Sequence, residues 1–155
     1  MKVGKVVSIH IAEDEGSEIK SISEVNAQAG KGLEGDRYYL QKGKLSKKDR
    51  PDRNITFIES EAIEALARDY RVSIEAKDAR RNIVTQNLAL NHLVGKEFRV
   101  GKATCKGIKL CEPCGYLEGL IKSKVKKGLI HRGGLRAQII DSGLIRVNDE
   151  IKLLS

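Results

Sequence analysis

Two cysteines lie three positions apart in "LCEPCGYLEGLIKS", residues 110–123, with a proline between them. The preceding "ATCKGIKL" has the alternation of a strand, and the apolar stripe that follows predicts a short helix starting near Pro113. Cys114 would then occupy the first helical turn, where unpaired backbone N–H groups and the helix dipole stabilise a thiolate. This placement makes Cys114 a candidate nucleophile or soft-metal ligand. Cys111 would be a resolving thiol or a bystander.

Other sites built on a cysteine pair fit the sequence less well. A thioredoxin-like fold requires a βαβ unit and a later proline facing the sulfurs, and no proline follows Pro113. Structural zinc needs four ligands, usually in two close pairs, and only Cys105 and His131 could complete the set, at unusual spacing. A reversible Cys111–Cys114 bridge stays an open alternative. Cys105 lies inside a strand pattern and is predicted to be a buried apolar residue.

Arginines stand beside turn-forming residues in three clusters: "GDRYY" at 35–39, "ARRN" at 79–82 and "HRGGLRA" at 131–137. Guanidinium forks and exposed backbone N–H groups together suit a phosphate or another oxyanion. For Arg37 or Arg80 alone, a salt bridge with a neighbouring acid is an equal alternative. The clusters therefore predict an anion site only when taken together.

The three histidines differ in what surrounds them. His10 ends a strand pattern, and His92 lies in an apolar stretch that predicts a packed core residue. Only His131, next to Arg132 and two glycines, is placed for a site.

Composition narrows the class of partner. Lysine and arginine number 29 against 21 acidic residues, a net charge of +8 that attracts anions such as phosphates. Tryptophan is absent, and six Phe and Tyr offer few stacking platforms for single-stranded nucleic acid, so a phosphate-bearing small molecule is favoured over RNA. Neither a long apolar span nor a signal-peptide pattern is present, so we expect a cytoplasmic protein without membrane contact. The length of 155 residues predicts one domain spanning 1–155.

Short alternating segments dominate the chain and predict a mainly β fold, a barrel or sandwich with a few short helices. The predicted strands are "KVGKVVSIHI", "SEIKSISEV", "NITFI", "RNIVT", "KEFRVG", "ATCKGIKL", "RAQIID" and "EIKLL". "ESEAIEALARDY" predicts a helix capped by Ser60, and "NLALNHLVG" a shorter turn ended by Gly95. Polar loops are expected over residues 26–36 and 41–53.

The order "GDR", "RRNIVT", "LVGKEFRVGKATCKGIKLCEPC", "HRGGLRAQIIDSGLIRVNDEI" resembles the MOSC domain, named for the C-terminal region of molybdenum cofactor sulfurase. The resemblance runs from about Gly35 nearly to the C-terminus and is to the small stand-alone members. It implies a closed or nearly closed β-barrel with a few short helices. It also implies a role with the molybdenum cofactor (molybdopterin), a pterin that carries a phosphate and a dithiolene. One departure is Asn148 before Asp149, where many members have glycine; asparagine also tolerates a left-handed turn.

The resemblance also implies roles for residues. Cys114 matches the cysteine proposed to carry sulfur or to face the metal, whereas Cys111 matches a position that only some members fill with cysteine. The implied cofactor-binding set is Asp36, Arg37, Arg81, Asn82, His131 and Arg132. In this set the arginines would hold the pterin phosphate and oxo ligands, with the aspartate and asparagine orienting them.

Two kinds of function remain open. By resemblance, the chain would be part of a molybdenum-cofactor-dependent reductase or of a sulfur-transfer system. Its partner would then be an electron-transfer protein or a pyridoxal-phosphate sulfur donor similar to a cysteine desulfurase. The alternative is a non-catalytic basic module that binds nucleic acid or an acidic partner, with structural cysteines.

Overall fold

The computed structural model describes residues 3–14, 17–40, 53–111 and 132–154. The alternating segments form the strands β1 Gly4–Ile11, β2 Lys20–Ile22, β3 Glu24–Gln28, β4 Gly32–Leu33, β5 Ile55–Glu59, β6 Ile83–Gln86, β7 Glu97–Val100, β8 Ala103–Leu110, β9 Leu135–Asp141, β10 Gly143–Arg146 and β11 Glu150–Leu153. The helices are α1 Arg37–Leu40 and α2 Ser60–Tyr70, and 3₁₀ turns cover Ala76–Ala79 and Leu90–Leu93. In the described part of the chain, no helix combines the length and apolarity needed to cross a membrane.

Seven strands close into a barrel in the order β11-β7-β8-β9-β5-β6-β1. The ring closes where β1 pairs antiparallel with β11, with Gly4 opposite Ile151. Only β5 and β6 run parallel among the ring pairs, because α2 connects them as a crossover. The strand β2 pairs antiparallel with the last residues of β1. A second, smaller sheet is formed by β10, β3 and β4. The predicted closed or nearly closed barrel is therefore confirmed.

The main core fills the barrel. Phe57 and Phe98 meet edge to face with their centroids 5.5 Å apart, and both are fully buried. Cys105 packs in the same cluster at 0% exposure, and burial raises the pKa of its thiol to about 12. The prediction that Cys105 is a buried apolar residue is confirmed.

A second, smaller core lies where α2 packs on the sheet through Ala62 and Leu66, which meet Ile58 and Val84. The helix prediction is confirmed, but the cap is not Ser60. The strand β5 runs directly into α2, so Glu59 is the extended N-cap residue and no side chain caps the helix.

Two further predictions about this region need correction. The 3₁₀ turn and the positive φ of Gly95 are as expected, but His92 is exposed because the turn buries Leu90 and Leu93 instead. The stretch 26–36 is only partly loop: it contains the end of β3 and all of β4, where Leu33 is fully buried. The two-residue β4 is too short to show a period of two.

Asn148 adopts φ 78, the left-handed conformation expected at this position. The predicted helix at residues 112–123 and the loop at 41–52 lie outside the described residues.

Candidate functional site

The guanidinium of Arg81 occupies a nearly closed environment just before β6, with 9% of the residue exposed. Its Nε donates to the Gly133 carbonyl at 2.8 Å and its Nη2 to the Cys111 carbonyl at 3.2 Å. Nη1 lies 3.4 Å from the carbonyl of Ala79. Arg81 therefore fixes two backbone segments from different parts of the chain.

Those two segments are the end of β8 and the approach to β9. Cys111 N donates to the Gly134 carbonyl at 2.7 Å, and Leu110 stands opposite Leu135. Gly134 has φ +118, and a Cβ added there would overlap the Phe57 carbonyl, so glycine is required for this approach. The chain thus leaves the described part at Cys111 and re-enters it at Arg132, with both ends held beside Arg81.

Cys114 and His131 belong to the segment between these ends and lie outside the described residues. Cys114 follows Cys111 by three residues in the sequence. His131 is bonded directly to Arg132. Their predicted roles stay predictions.

The described cysteine of the pair, Cys111, is 2% exposed and carries a free thiol. It belongs to neither apolar cluster of the described residues. Its burial therefore arises where the strand ends meet, outside the barrel core.

Asp36 and Arg37 form a buried ion pair at the start of α1. Asp36 is fully buried, and its Oδ1 accepts the Ala12 N–H at 3.0 Å and the Arg37 Nη1 at 3.3 Å. Arg37, 8% exposed, also donates its backbone N–H to the Ala12 carbonyl at 2.7 Å. Both predicted site residues are therefore bound to the chain just after β1.

Asn82 joins three strands through its side chain and backbone. Its Oδ1 accepts the Thr56 backbone N–H at 3.0 Å, and its Nδ2 donates to the His10 carbonyl at 3.1 Å. The Thr56 hydroxyl accepts the Asn82 backbone N–H at 3.0 Å. Asn82 therefore holds β5, β6 and β1 together, with Arg81 next to it in the chain.

The structure thus arranges the described candidates as two neighbouring pairs, Asp36 with Arg37 and Arg81 with Asn82. Both pairs are anchored at the end of β1, through Ala12 just after the strand and His10 within it. Arg132 is exposed, and it directly precedes Gly133, whose carbonyl accepts from Arg81 Nε. The pKa of Asp69, at the end of α2, is lowered mainly by Arg68 and also by the charge of Arg132, so Arg132 lies toward that helix.

Sequence reasoning missed two polar residues of this region, Thr56 and His10. The imidazole of His10 lies between hydroxyls, with Nε2 2.8 Å from Ser8 Oγ and Nδ1 3.0 Å from Ser21 Oγ. His10 is 4% exposed, and burial lowers its pKa. The spacing Ser8-x-His10 places both side chains on one face of a strand, a signal that could have indicated the contact.

Over the described ranges, no three His, Cys, Asp or Glu side chains are grouped to hold a metal ion.

Comparisons with known proteins identify the class. The family model described as the MOSC domain matches residues 41–152. The chain therefore belongs to the MOSC domain family, which is associated with molybdenum cofactor binding in general. No curated protein sequence matches the chain significantly.

Solved structures share the fold. The YuaD protein from Bacillus subtilis superposes with a TM-score of 0.81 at 17% identity, covering 99% of this chain and 98% of that one. YiiM from Geobacillus stearothermophilus superposes with a TM-score of 0.73 at 15% identity, and the match covers 98% of this chain and 75% of the YiiM chain. YiiM from Escherichia coli superposes with a TM-score of 0.69 at 20% identity, and the match covers 100% of this chain and 70% of the YiiM chain. At these identities the likeness concerns the fold alone.

Proposed function

We propose that this MOSC domain binds the molybdenum cofactor, or a sulfur-loaded form of it, and contacts its sulfur or metal through the thiolate of Cys114. The observation that carries the proposal is the bridge from Arg81 to the carbonyls of Cys111 and Gly133. It holds both ends of the segment bearing Cys114 and His131 at one place on the barrel. Cys114 follows Cys111 by three residues in the sequence and belongs to the segment whose described ends Arg81 holds together.

The residues of this region suit an anionic, sulfur-rich group. Soft thiolate is a preferred donor for thiophilic metals and can carry a persulfide, while guanidinium groups pair with phosphate. When bound, the cofactor supplies redox chemistry at molybdenum. The protein residues supply binding and orientation.

The contacts divide these tasks among the candidates. Arg81 and Asn82 bond to backbone groups and position the strands, so their contribution is mainly structural and electrostatic. Asp36 partly neutralises Arg37. Among the three candidate arginines Arg37, Arg81 and Arg132, the exposed Arg132 is the one that a phosphate reaches without breaking a buried contact.

The same proposal includes a partner in the cytoplasm. A sulfur-transfer role needs a donor such as a pyridoxal-phosphate enzyme, and a reductase role needs an electron-transfer protein. Either partner would have to approach the face that carries the segment after Cys111.

Metal analysis tests the proposal. The protein and its Cys114→Ala, Arg132→Gln and Lys31→Gln variants are purified from a cofactor-producing host, and molybdenum and pterin are measured per chain. We expect Cys114→Ala to lose most of the metal and Arg132→Gln to lose part of the pterin, while Lys31→Gln matches the wild type. Equal, substoichiometric metal in all four proteins would contradict the proposal.

A second candidate, a basic binding module, is favoured by the burial of Cys111 and by the net charge of +8. It predicts binding to nucleic acid or an acidic partner that weakens steeply with salt and survives replacement of both Cys111 and Cys114. Binding lost with either cysteine while the fold persists would exclude it.

A further inference from the structure

A cavity separate from the region around Arg81 lies at the other end of β8, where the β7–β8 turn meets the β10–β11 turn. Its volume is about 360 Å³, within the range of small-molecule sites. It is lined by Arg99, Gly101, Lys102, Leu144, Arg146, Asp149, Glu150 and Lys152. Since β8 rises about 3.3 Å per residue, the cavity lies roughly 25–30 Å from Cys111.

The turns that form the cavity are held by backbone hydrogen bonds. Gly101 N donates to the Glu150 carbonyl at 3.2 Å, and Lys102 N to the Leu144 carbonyl at 3.1 Å. Gly101 has φ +57, and a Cβ there would overlap the Asp149 carboxylate. The cavity is therefore built from fixed backbone.

The acidic side chains of the lining are already engaged within the protein. Asp149 Oδ2 accepts the Arg146 backbone N–H at 2.7 Å, and Glu150 pairs with Lys152 at 3.1 Å. Arg146 also pairs with Glu24, 3.5 Å away. Glu150 therefore balances Lys152, and Asp149 is oriented by a backbone N–H.

Two bases in the lining, Arg99 and Lys102, are exposed and make no ion pair with the described residues. Arg99 also stands directly opposite Lys152 across the β7–β11 pair, an arrangement of like charges that is unfavourable in a sheet. The lining holds four bases and two acids, and Glu24 pairs with one of the bases, so positive charge remains in excess. A bound anion would relieve the repulsion between them.

We propose that this cavity binds the phosphate group of a small phosphate-bearing molecule, with Arg99 as the guanidinium fork and Lys102 as the second cation. A phosphate monoester carries about two negative charges at neutral pH and so complements the excess positive charge of the lining. The site is distinct from the segment that follows Cys111, and it does not depend on the molybdenum cofactor.

Phosphate titration followed by ¹H–¹⁵N NMR at constant ionic strength tests this site. Inorganic phosphate and phenyl phosphate are the probes, and chloride is the reference anion. We expect saturable shifts at the Gly101 and Lys102 amides. Phenyl phosphate should also shift Leu144, which lines the same cavity.

The variant Arg99→Gln/Lys102→Gln should weaken phosphate binding about tenfold or more, since hydrogen bonds to charged groups contribute roughly 1.5–3 kcal/mol. The matched control Lys31→Gln/Lys96→Gln removes the same charge from exposed positions elsewhere and should change affinity less than twofold. Unsaturable shifts in the wild type, or equal weakening by both double variants, would overturn the proposal. Unchanged Cys114-dependent metal content in the Arg99→Gln/Lys102→Gln protein would show that the two sites are independent.

Discussion

Arg81 donates a 3.2 Å hydrogen bond to the carbonyl of Cys111 and so connects the start of β6 with the end of β8, strands separated in the barrel by β9 and β5. A side chain that spans two intervening strands is a tertiary cross-link without a covalent bond. Its partners are backbone carbonyls, so the bond depends on where the strands end and not on which side chains they carry.

Replacing Arg81 by lysine should destabilise the protein although the charge is kept. Lysine lacks the planar fork that reaches the carbonyls of Gly133 and Cys111 together, so we expect a loss of about 2 kcal/mol in the free energy of unfolding, and more for Arg81→Ala. Urea denaturation measures the free energy of unfolding of each variant. The control Arg99→Lys, at an exposed position, should cost less than about 0.5 kcal/mol. Equal stability of Arg81→Lys and wild type would show that only the charge matters.

The cysteines should differ in reactivity toward iodoacetamide at pH 8. Cys105, whose pKa is raised to about 12 by burial in the barrel, should stay unlabelled in the folded protein. Cys114 should react first if it faces solvent as a thiolate. Mass spectrometry of peptides after timed alkylation reports each site, and protein unfolded in urea supplies full labelling as the control. Rapid labelling of Cys105 under native conditions would contradict its place in the core.

Acidification should destabilise the fold through His10. Burial lowers the pKa of His10 below the ordinary value of about 6.5, so the folded state disfavours the imidazolium that the unfolded chain accepts. The stabilisation from neutral His10 is complete above pH 6.5 and is lost as pH falls through the folded pKa, with a slope of at most about 1.4 kcal/mol per pH unit. Denaturation of wild type and His10→Gln between pH 8 and 5 measures the slope. Identical slopes would rule out His10 as the source.

Two glycines with positive φ, the buried Gly134 and the exposed Gly30, allow a matched comparison. Gly134→Ala should be severely destabilising, by roughly 3 kcal/mol or more, because the new Cβ meets the Phe57 carbonyl as well as a strained φ. Gly30→Ala suffers only the strain, about 1 kcal/mol, since nothing lies within 4 Å of its Cβ. Thermal unfolding of both variants measures the difference. Similar losses would mean that β9 shifts to accept the methyl group.

The barrel was accessible from the sequence because its longest strands alternate over five to eight residues, as β1 and β8 do. The two-residue β4 and the four-residue β10 carry too little pattern to be seen. A serine hydroxyl can cap a helix, but α2 already begins at Ser60. Glu59, the last residue of β5, is therefore the N-cap residue.

The candidate site was predicted by residue type and only partly by role. An arginine motif such as "ARRN" predicts positive charge. It cannot show that Arg81 donates to the carbonyls of Cys111 and Gly133, because these partners lie 30 and 52 residues away in the sequence. The same holds for Asn82, whose partner His10 lies 72 residues earlier. Long-range pairing of this kind is set by the closed sheet.

Closure of the ring between β1 and β11 also constrains how the protein is made. The first and last strands of the described chain are partners. The backbone groups of β1 that pair with β11 therefore stay unpaired until β11 has been synthesised. During that interval the edge is available to other chains, and a chaperone or a fast early hairpin such as β7–β8 would protect the nascent domain from mispairing. Expression yield should therefore depend on translation rate and temperature more than the finished barrel's stability would suggest.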